Sequence, residues 1–139
     1  MAIPTESLPP PGRGSTEIDF LLGAFPRGQL SEIVGSWSSG GESLLLALLA
    51  RATAGGRLAA LVDGADAFDP TAAAAAGADL SSLLWVRCGG DTVRALRAAD
   101  LLARCPGFAV VALDLGERVL TRRQPVPPAA WRRLQRAVE

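Results

Sequence analysis

The residues whose types and spacing point most directly to chemistry are Gly35-Ser36-Trp37-Ser38-Ser39-Gly40-Gly41-Glu42-Ser43. Gly35 and Gly40 stand at the separation of the two glycines in a G-x-x-x-x-G-K-[ST] phosphate loop. Such a loop aims backbone N–H groups, a helix N-terminus and one ammonium at a polyphosphate. Here Gly41 holds the lysine position, and Glu42 holds the position of the magnesium-binding hydroxyl. The chain contains no lysine at all. Its abundant Ala, Arg, Gly, Leu and Pro suggest GC-rich codon usage, which converts surface Lys to Arg. That bias does not explain a glycine where an ammonium should meet phosphate, because Arg and Lys are not interchangeable there. A carboxylate about 4 Å from a phosphate oxygen repels it by roughly 4 kcal/mol at an effective dielectric of about 20. The absent ammonium removes an attraction of similar size, so triphosphate affinity should fall on the order of a thousandfold. Gly35, Gly40 and Gly41 are then expected to make a tight strand-to-helix turn. Ser38 or Ser39 would cap the following helix, and Trp37 would fold over the vacant pocket or anchor a partner. No catalytic residue, cofactor or metal is expected, and the chain is not expected to be an enzyme.

The elements that would position this loop follow from apolar runs and turn residues. Gln29–Val34 reads as a strand ended by Gly35, and Glu42–Ala54 as a buried helix ended by Gly55-Gly56. Leu58–Val62 is an apolar run between turn residues and reads as a buried strand. Thr71–Ala76 is a short Ala-rich helix, and Leu83–Val86 is a strand. Thr92–Arg104 is an amphipathic helix capped by Asp91. Phe108–Leu113 is a strand ending in Asp114, and Pro127-Pro128 opens a last helix to about Val138. Alternation of this kind predicts an α/β fold with a parallel sheet of about four strands flanked by helices. Ligands of such sheets sit at the carboxyl ends of the strands, so Gly35, Asp63 and Asp114 should share one edge. Residues 1–14 are Pro- and Gly-rich and read as a flexible lead-in. Ser15–Leu22 reads as a short helix, and 15–139 as one domain.

Composition narrows the classes. The chain has 139 residues, 49% of them apolar, and a formal net charge of zero. That excludes a disordered chain and gives no overall basic character to attract nucleic acid. The charge is nevertheless uneven: residues 1–70 hold four Arg and eight acids, whereas 71–139 hold ten Arg and six acids. Arg122, Arg123, Arg132, Arg133 and Arg136 could meet DNA phosphates, but they lack interleaved aromatics. DNA binding is therefore expected to be weak or absent, with protein docking through the same arginines favoured. Trp85 is expected in the core, and Trp131 shares a helix face with Leu134 and Val138 that serves as core or docking surface. Cys88 and Cys105 lack histidine partners and zinc spacing, so buried free thiols are expected. Neither a secretion signal nor a membrane span is apparent, and a cytoplasmic location is expected.

Several segments together resemble the core of the RecA recombinase family. They are Gly14-Ser15-Thr16-Glu17-Ile18-Asp19, Pro26-Arg27-Gly28, Glu32-Ile33-Val34-Gly35 and Ser38-Ser39-Gly40, followed by Val62-Asp63, Asp69-Pro70, Gly77-Ala78-Asp79-Leu80 and the apolar strand ending in Asp114. The resemblance runs from about residue 14 to the end. It implies a RecA-like core in which Asp114 matches the Walker B aspartate. The departures fall on chemistry: Gly41 and Glu42 in the loop, and Ala65 where the family has its water-activating glutamate. A closer resemblance is to ImuA-type proteins, through Gly40–Leu46, the Gly77–Arg87 segment with its Leu-Leu-Trp-Val-Arg, and Arg132–Gln135. That resemblance implies a role in damage-induced mutagenesis beside a Y-family polymerase relative, an error-prone replicative polymerase and RecA.

In the RecA fold a later strand lies between the Walker A and Walker B strands, and the sequence stops before it. The domain should therefore be C-terminally incomplete, with two apolar strand edges: they close on each other, another chain fills the gap, or the chain is a fragment of a longer protein. A fragment that self-associates is expected. The leading functional expectation is a non-catalytic interaction protein in translesion synthesis that binds RecA or the polymerase-like partner. A nucleotide-regulated switch and a SulA-type inhibitor of cell division are the alternatives.

Overall fold

The computed structural model of the chain describes residues 2–4, 25–26, 28–34, 40–116 and 125–139. Its centre is a four-stranded sheet of β1 (Ala2–Pro4), β2 (Leu58–Asp63), β3 (Leu83–Arg87) and β4 (Phe108–Asp114), in the order β1-β4-β2-β3. β4, β2 and β3 are parallel, with Asp63 opposite Asp114 and Val62 opposite Leu113 and Val86. β1 runs antiparallel to β4, with Ala2 opposite Ala112. Among the described residues four α-helices accompany the sheet: α1 (Gly41–Thr53), α2 (Pro70–Ala75), α3 (Thr92–Ala103) and α4 (Pro128–Val138).

Side-chain alternation along the strands splits the core into two layers. Leu61, Val110 and Ala112 pack with Leu48, Leu49 and Ala52 of α1 and Ala73 of α2. Val62 and Leu113 pack with Ala95 and Ala99 of α3 and Leu134 of α4. Alanine dominates the α3 contact, which brings helix and sheet close together. α/β alternation with helices on both faces is what the apolar runs predict, and the predicted elements after residue 40 agree with the observed ones to within a residue or two. Gly55 and Gly56 end α1 with φ of 70° and 78°, the left-handed conformation expected of a glycine stop. The Asp91 side chain caps α3 by accepting the Arg94 N–H at 3.0 Å.

Two expectations need correction. Gln29–Val34 is not a strand: only Ser31 makes an isolated bridge, and Val34 is 68% exposed. A strand persists only where a neighbouring ladder accepts its backbone groups. The β4 edge is already taken by Ala2–Pro4, which the lead-in composition did not foretell. The Gln29 segment instead packs against α4: Leu30 joins the α3/α4 core, and a Cβ on Gly28 would lie 3.3 Å from the Val138 carbonyl oxygen. Cys105 is exposed rather than buried, while Cys88 is buried, and both are free thiols. The expected helix at Ser15–Leu22 lies outside the described residues, as does most of the 1–14 lead-in. Among the described residues no helix is long and apolar enough to cross a membrane.

Candidate functional site

The carboxyl edge of the sheet gathers the described residues to which sequence assigns chemistry. α1 ends at a short turn that leads directly into the amino end of β2, and it packs across β2 and β4. At about 1.5 Å per residue it runs back along the sheet, so its N-terminus reaches the carboxyl edge. Asp63 and Asp114 end β2 and β4 in register. In-register neighbours of a parallel pair project from the same face, with strands about 4.8 Å apart. Asp63 lies beside Phe68 and Trp85, which places both aspartates on the α1 face. Sequence reasoning foresaw this shared edge for Asp63 and Asp114; Gly35 lies outside the described residues.

The α1 N-terminus has the geometry of a glycine turn. Gly40 is the N-cap, with φ 83° and ψ 9°, and Gly41 is the first helical residue. The cap is thus a backbone device. Ser38 and Ser39, the expected side-chain caps, and Trp37 lie outside the described residues. Glu42 and Ser43 are exposed in the first turn. Glu42 complements the positive end of the helix dipole, supplying an internal negative charge where a phosphate would otherwise bind. Because Glu42 is exposed, its repulsion of an anion lies nearer the roughly 1 kcal/mol expected in water at 4 Å than the low-dielectric figure. The missing ammonium is then the larger loss.

The two aspartates differ in surroundings. Asp63 is fully buried. Its Oδ1 accepts the Ala67 N–H at 3.0 Å, and its Oδ2 accepts the Phe68 N–H at 3.0 Å and the Trp85 Nε1–H at 3.1 Å. Phe68 meets Trp85 edge to face at 5.2 Å, and the Arg87 guanidinium lies 5.0 Å above the Trp85 ring. Arg87 also pairs with Asp66 at 3.4 Å, and Asp66 holds the left-handed φ of 56°. Asp114 is half-buried; its Oδ1 accepts the Gly116 N–H at 2.8 Å, and its carbonyl accepts the Gly64 N–H at 2.7 Å. Ala65 faces Gly116 so closely that a Cβ there would lie 2.7 Å from the Ala65 Cβ. Ala65 offers no group to activate water, and Asp66 is held by Arg87. Among the described residues no cluster of three or more His, Cys, Asp or Glu side chains could hold a metal ion.

The predicted docking residues fall on the opposite layer. Trp131 is half-buried against the α3/α4 core, while Arg132, Arg133 and Arg136 are exposed on α4. Arg133 reaches Asp100 of α3 at 3.4 Å, and Asp100 also accepts from Arg104 at 3.0 Å. Arg122 and Arg123 lie outside the described residues. Sequence reasoning missed Asp100 because its partner Arg133 is thirty-three residues away. It also missed the Trp85 bond to Asp63, although a strand-end aspartate beside an indole-bearing strand was a usable signal.

A parallel α/β sheet with a glycine turn opening a helix above an aspartate-tipped strand defines an α/β fold of the P-loop type. The RecA N-terminal domain family matches residues 6–123, and the chain belongs to that family. Protein RecA of Chlorobaculum parvum is 42% identical over 103 residues, which cover 73% of this chain and 29% of that protein. Protein RecA of Rubrobacter xylanophilus is 40% identical over 103 residues, covering 73% of this chain and 30% of that protein. Protein RecA of Corynebacterium urealyticum is 37% identical over 111 residues, covering 80% of this chain and 30% of that protein. The chain thus spans about three tenths of the length of the curated relatives it matches.

Proposed function

We propose that this chain is a non-catalytic RecA-like interaction protein of the ImuA type, acting in DNA-damage-induced translesion synthesis. It would dock on RecA, on a Y-family polymerase-like partner, or on both. The observation that carries the reading is the α1 N-terminus. Gly40 and Gly41 keep the turn, yet Gly41 stands where a phosphate loop needs a cation and an exposed Glu42 where it needs a hydroxyl. Ala65, packed toward Gly116, supports it by lacking the group a hydrolytic water requires. A fold that retains its core while losing those groups is suited to presenting surfaces.

Two measurements test this. Calorimetry with Mg-ATP is expected to detect no binding in the micromolar range. Micromolar binding with turnover would instead favour a nucleotide switch. Affinity capture from DNA-damaged cells is expected to recover RecA or the polymerase-like protein, and recovery of neither would count against the partners named. Inhibition of the division GTPase polymer would favour the SulA-type alternative.

A further inference from the structure

The outer surface of the α3/α4 layer combines unpaired positive charge with exposed apolar side chains. On α3, Val93, Arg97 and Leu101 follow at four-residue spacing and so share one face. Val93 is 54% exposed and Leu101 66% exposed. On α4, Arg132 and Arg136 share the face opposite the buried Leu134. α3 and α4 pack side by side on the same side of the sheet; Asp100 pairs with Arg104 along α3 and crosses the seam to Arg133 of α4. Arg97, Arg132 and Arg136 have no described carboxylate within ion-pair distance. The acids on this layer are few: Asp91 pairs with Arg94 at 3.9 Å, Asp100 is engaged as above, and Glu139 ends α4.

We propose that this face is a docking site for an acidic polypeptide segment carrying leucine-like side chains. Guanidinium groups favour carboxylates through paired hydrogen bonds. Val93 and Leu101, exposed on the α3 face that carries Arg97, add apolar surface suited to a partner that combines acidic and apolar residues. A phosphate backbone would leave Leu101 and Val93 uncovered, and no described aromatic side chain stands exposed among the arginines for a base to stack on. The inference rests on the reading of the chain as a docking protein, but not on which partner it meets.

Fluorescence anisotropy with the intact chain tests it, using a labelled peptide of alternating Glu and Leu. A Glu/Ser peptide of equal charge and a single-stranded oligonucleotide serve as competing probes. The Glu/Leu peptide is expected to bind best. The triple variant R97E/R132E/R136E should weaken it at least about tenfold, and Leu101→Ser should weaken it several-fold while leaving circular dichroism unchanged. Equal binding of the Glu/Ser peptide with no effect of Leu101→Ser would overturn the proposal, and so would absence of peptide binding. Tighter binding of the oligonucleotide would assign the face to nucleic acid and overturn it as well. Failure to capture RecA from cells would leave this assay unaffected, so the two readings fail separately.

Discussion

Asp63 and Asp114 end neighbouring parallel strands in register, yet they meet opposite surroundings. Three donors enclose Asp63, and it is fully buried. Asp114 is half-buried, and among the described residues its carboxylate takes one N–H, from Gly116. The surroundings of Asp63 come from the segment that leaves β2 and from the neighbouring strand. After β2 the chain folds back, so that Ala67 and Phe68 present their N–H groups to Asp63, while β3 brings Trp85 alongside. After β4 the described residues run to Gly116, whose N–H is the donor that meets Asp114. Position at a strand end therefore does not assign a role. Asp63 holds the 64–69 loop in place, whereas the Asp114 carboxylate meets a single donor among the described residues.

The largest expected effect breaks that contrast directly. Asp63→Ala strands three donors and should lower the unfolding free energy by about 3 kcal/mol, whereas Asp114→Ala should lower it by less than about 1 kcal/mol. Urea denaturation of both variants measures this, and equal losses would erase the distinction. Next in size is the packing between the two strand ends. A Cβ on Gly64 would lie 2.7 Å from the Asp114 carbonyl oxygen, a backbone atom that cannot yield cheaply. Gly64→Ala should destabilise by about 2 kcal/mol. Gly41→Ala meets nothing within 4 Å and should be neutral or stabilising by up to about 1 kcal/mol.

The thiols sharpen a parallel contrast between interior and surface. Burial pushes the Cys88 thiol above its ordinary range, outweighing the opposing pull of Arg94. At neutral pH Cys105 should therefore alkylate at least about tenfold faster than Cys88, because the thiolate is the reacting species. Mass spectrometry of partially labelled protein reads this, and comparable rates would show that the α3 layer opens readily. The smallest effect concerns Asp79, whose carboxyl is held below its usual range by hydrogen bonds, chiefly from the Ser81 hydroxyl and then from Ser82. A lowered folded-state pKa contributes stability above the ordinary carboxylate value, and that contribution is lost as pH falls through the folded value. Wild type and Asp79→Asn should differ slightly in urea midpoint at neutral pH and converge in acid. A gap that widens in acid would contradict the assignment.

Much of this arrangement is legible along the chain. The runs Leu58–Val62 and Phe108–Leu113 announce buried parallel strands because both sides of each must be apolar, and Leu83–Val86 announces a strand that the structure places half-exposed at the sheet edge. Asp91 and Gly55-Gly56 announce helix ends because capping is local. The altered loop at Gly41 and Glu42 is equally plain, since residue identity alone removes the ammonium. Gln29–Val34 misleads because a strand is a property of a pair.

What the sequence determined by itself is local: where apolar runs lie, where helices start and stop, and which charge is absent from the glycine turn. The tertiary structure alone decided that Ala2–Pro4 takes the β4 edge and that Trp85 encloses Asp63 while Asp114 stays partly open. It also decided that Asp100 joins two arginine-bearing helices into one face. Each of these depends on residues far apart in the chain whose meeting is set by packing rather than by neighbours in sequence.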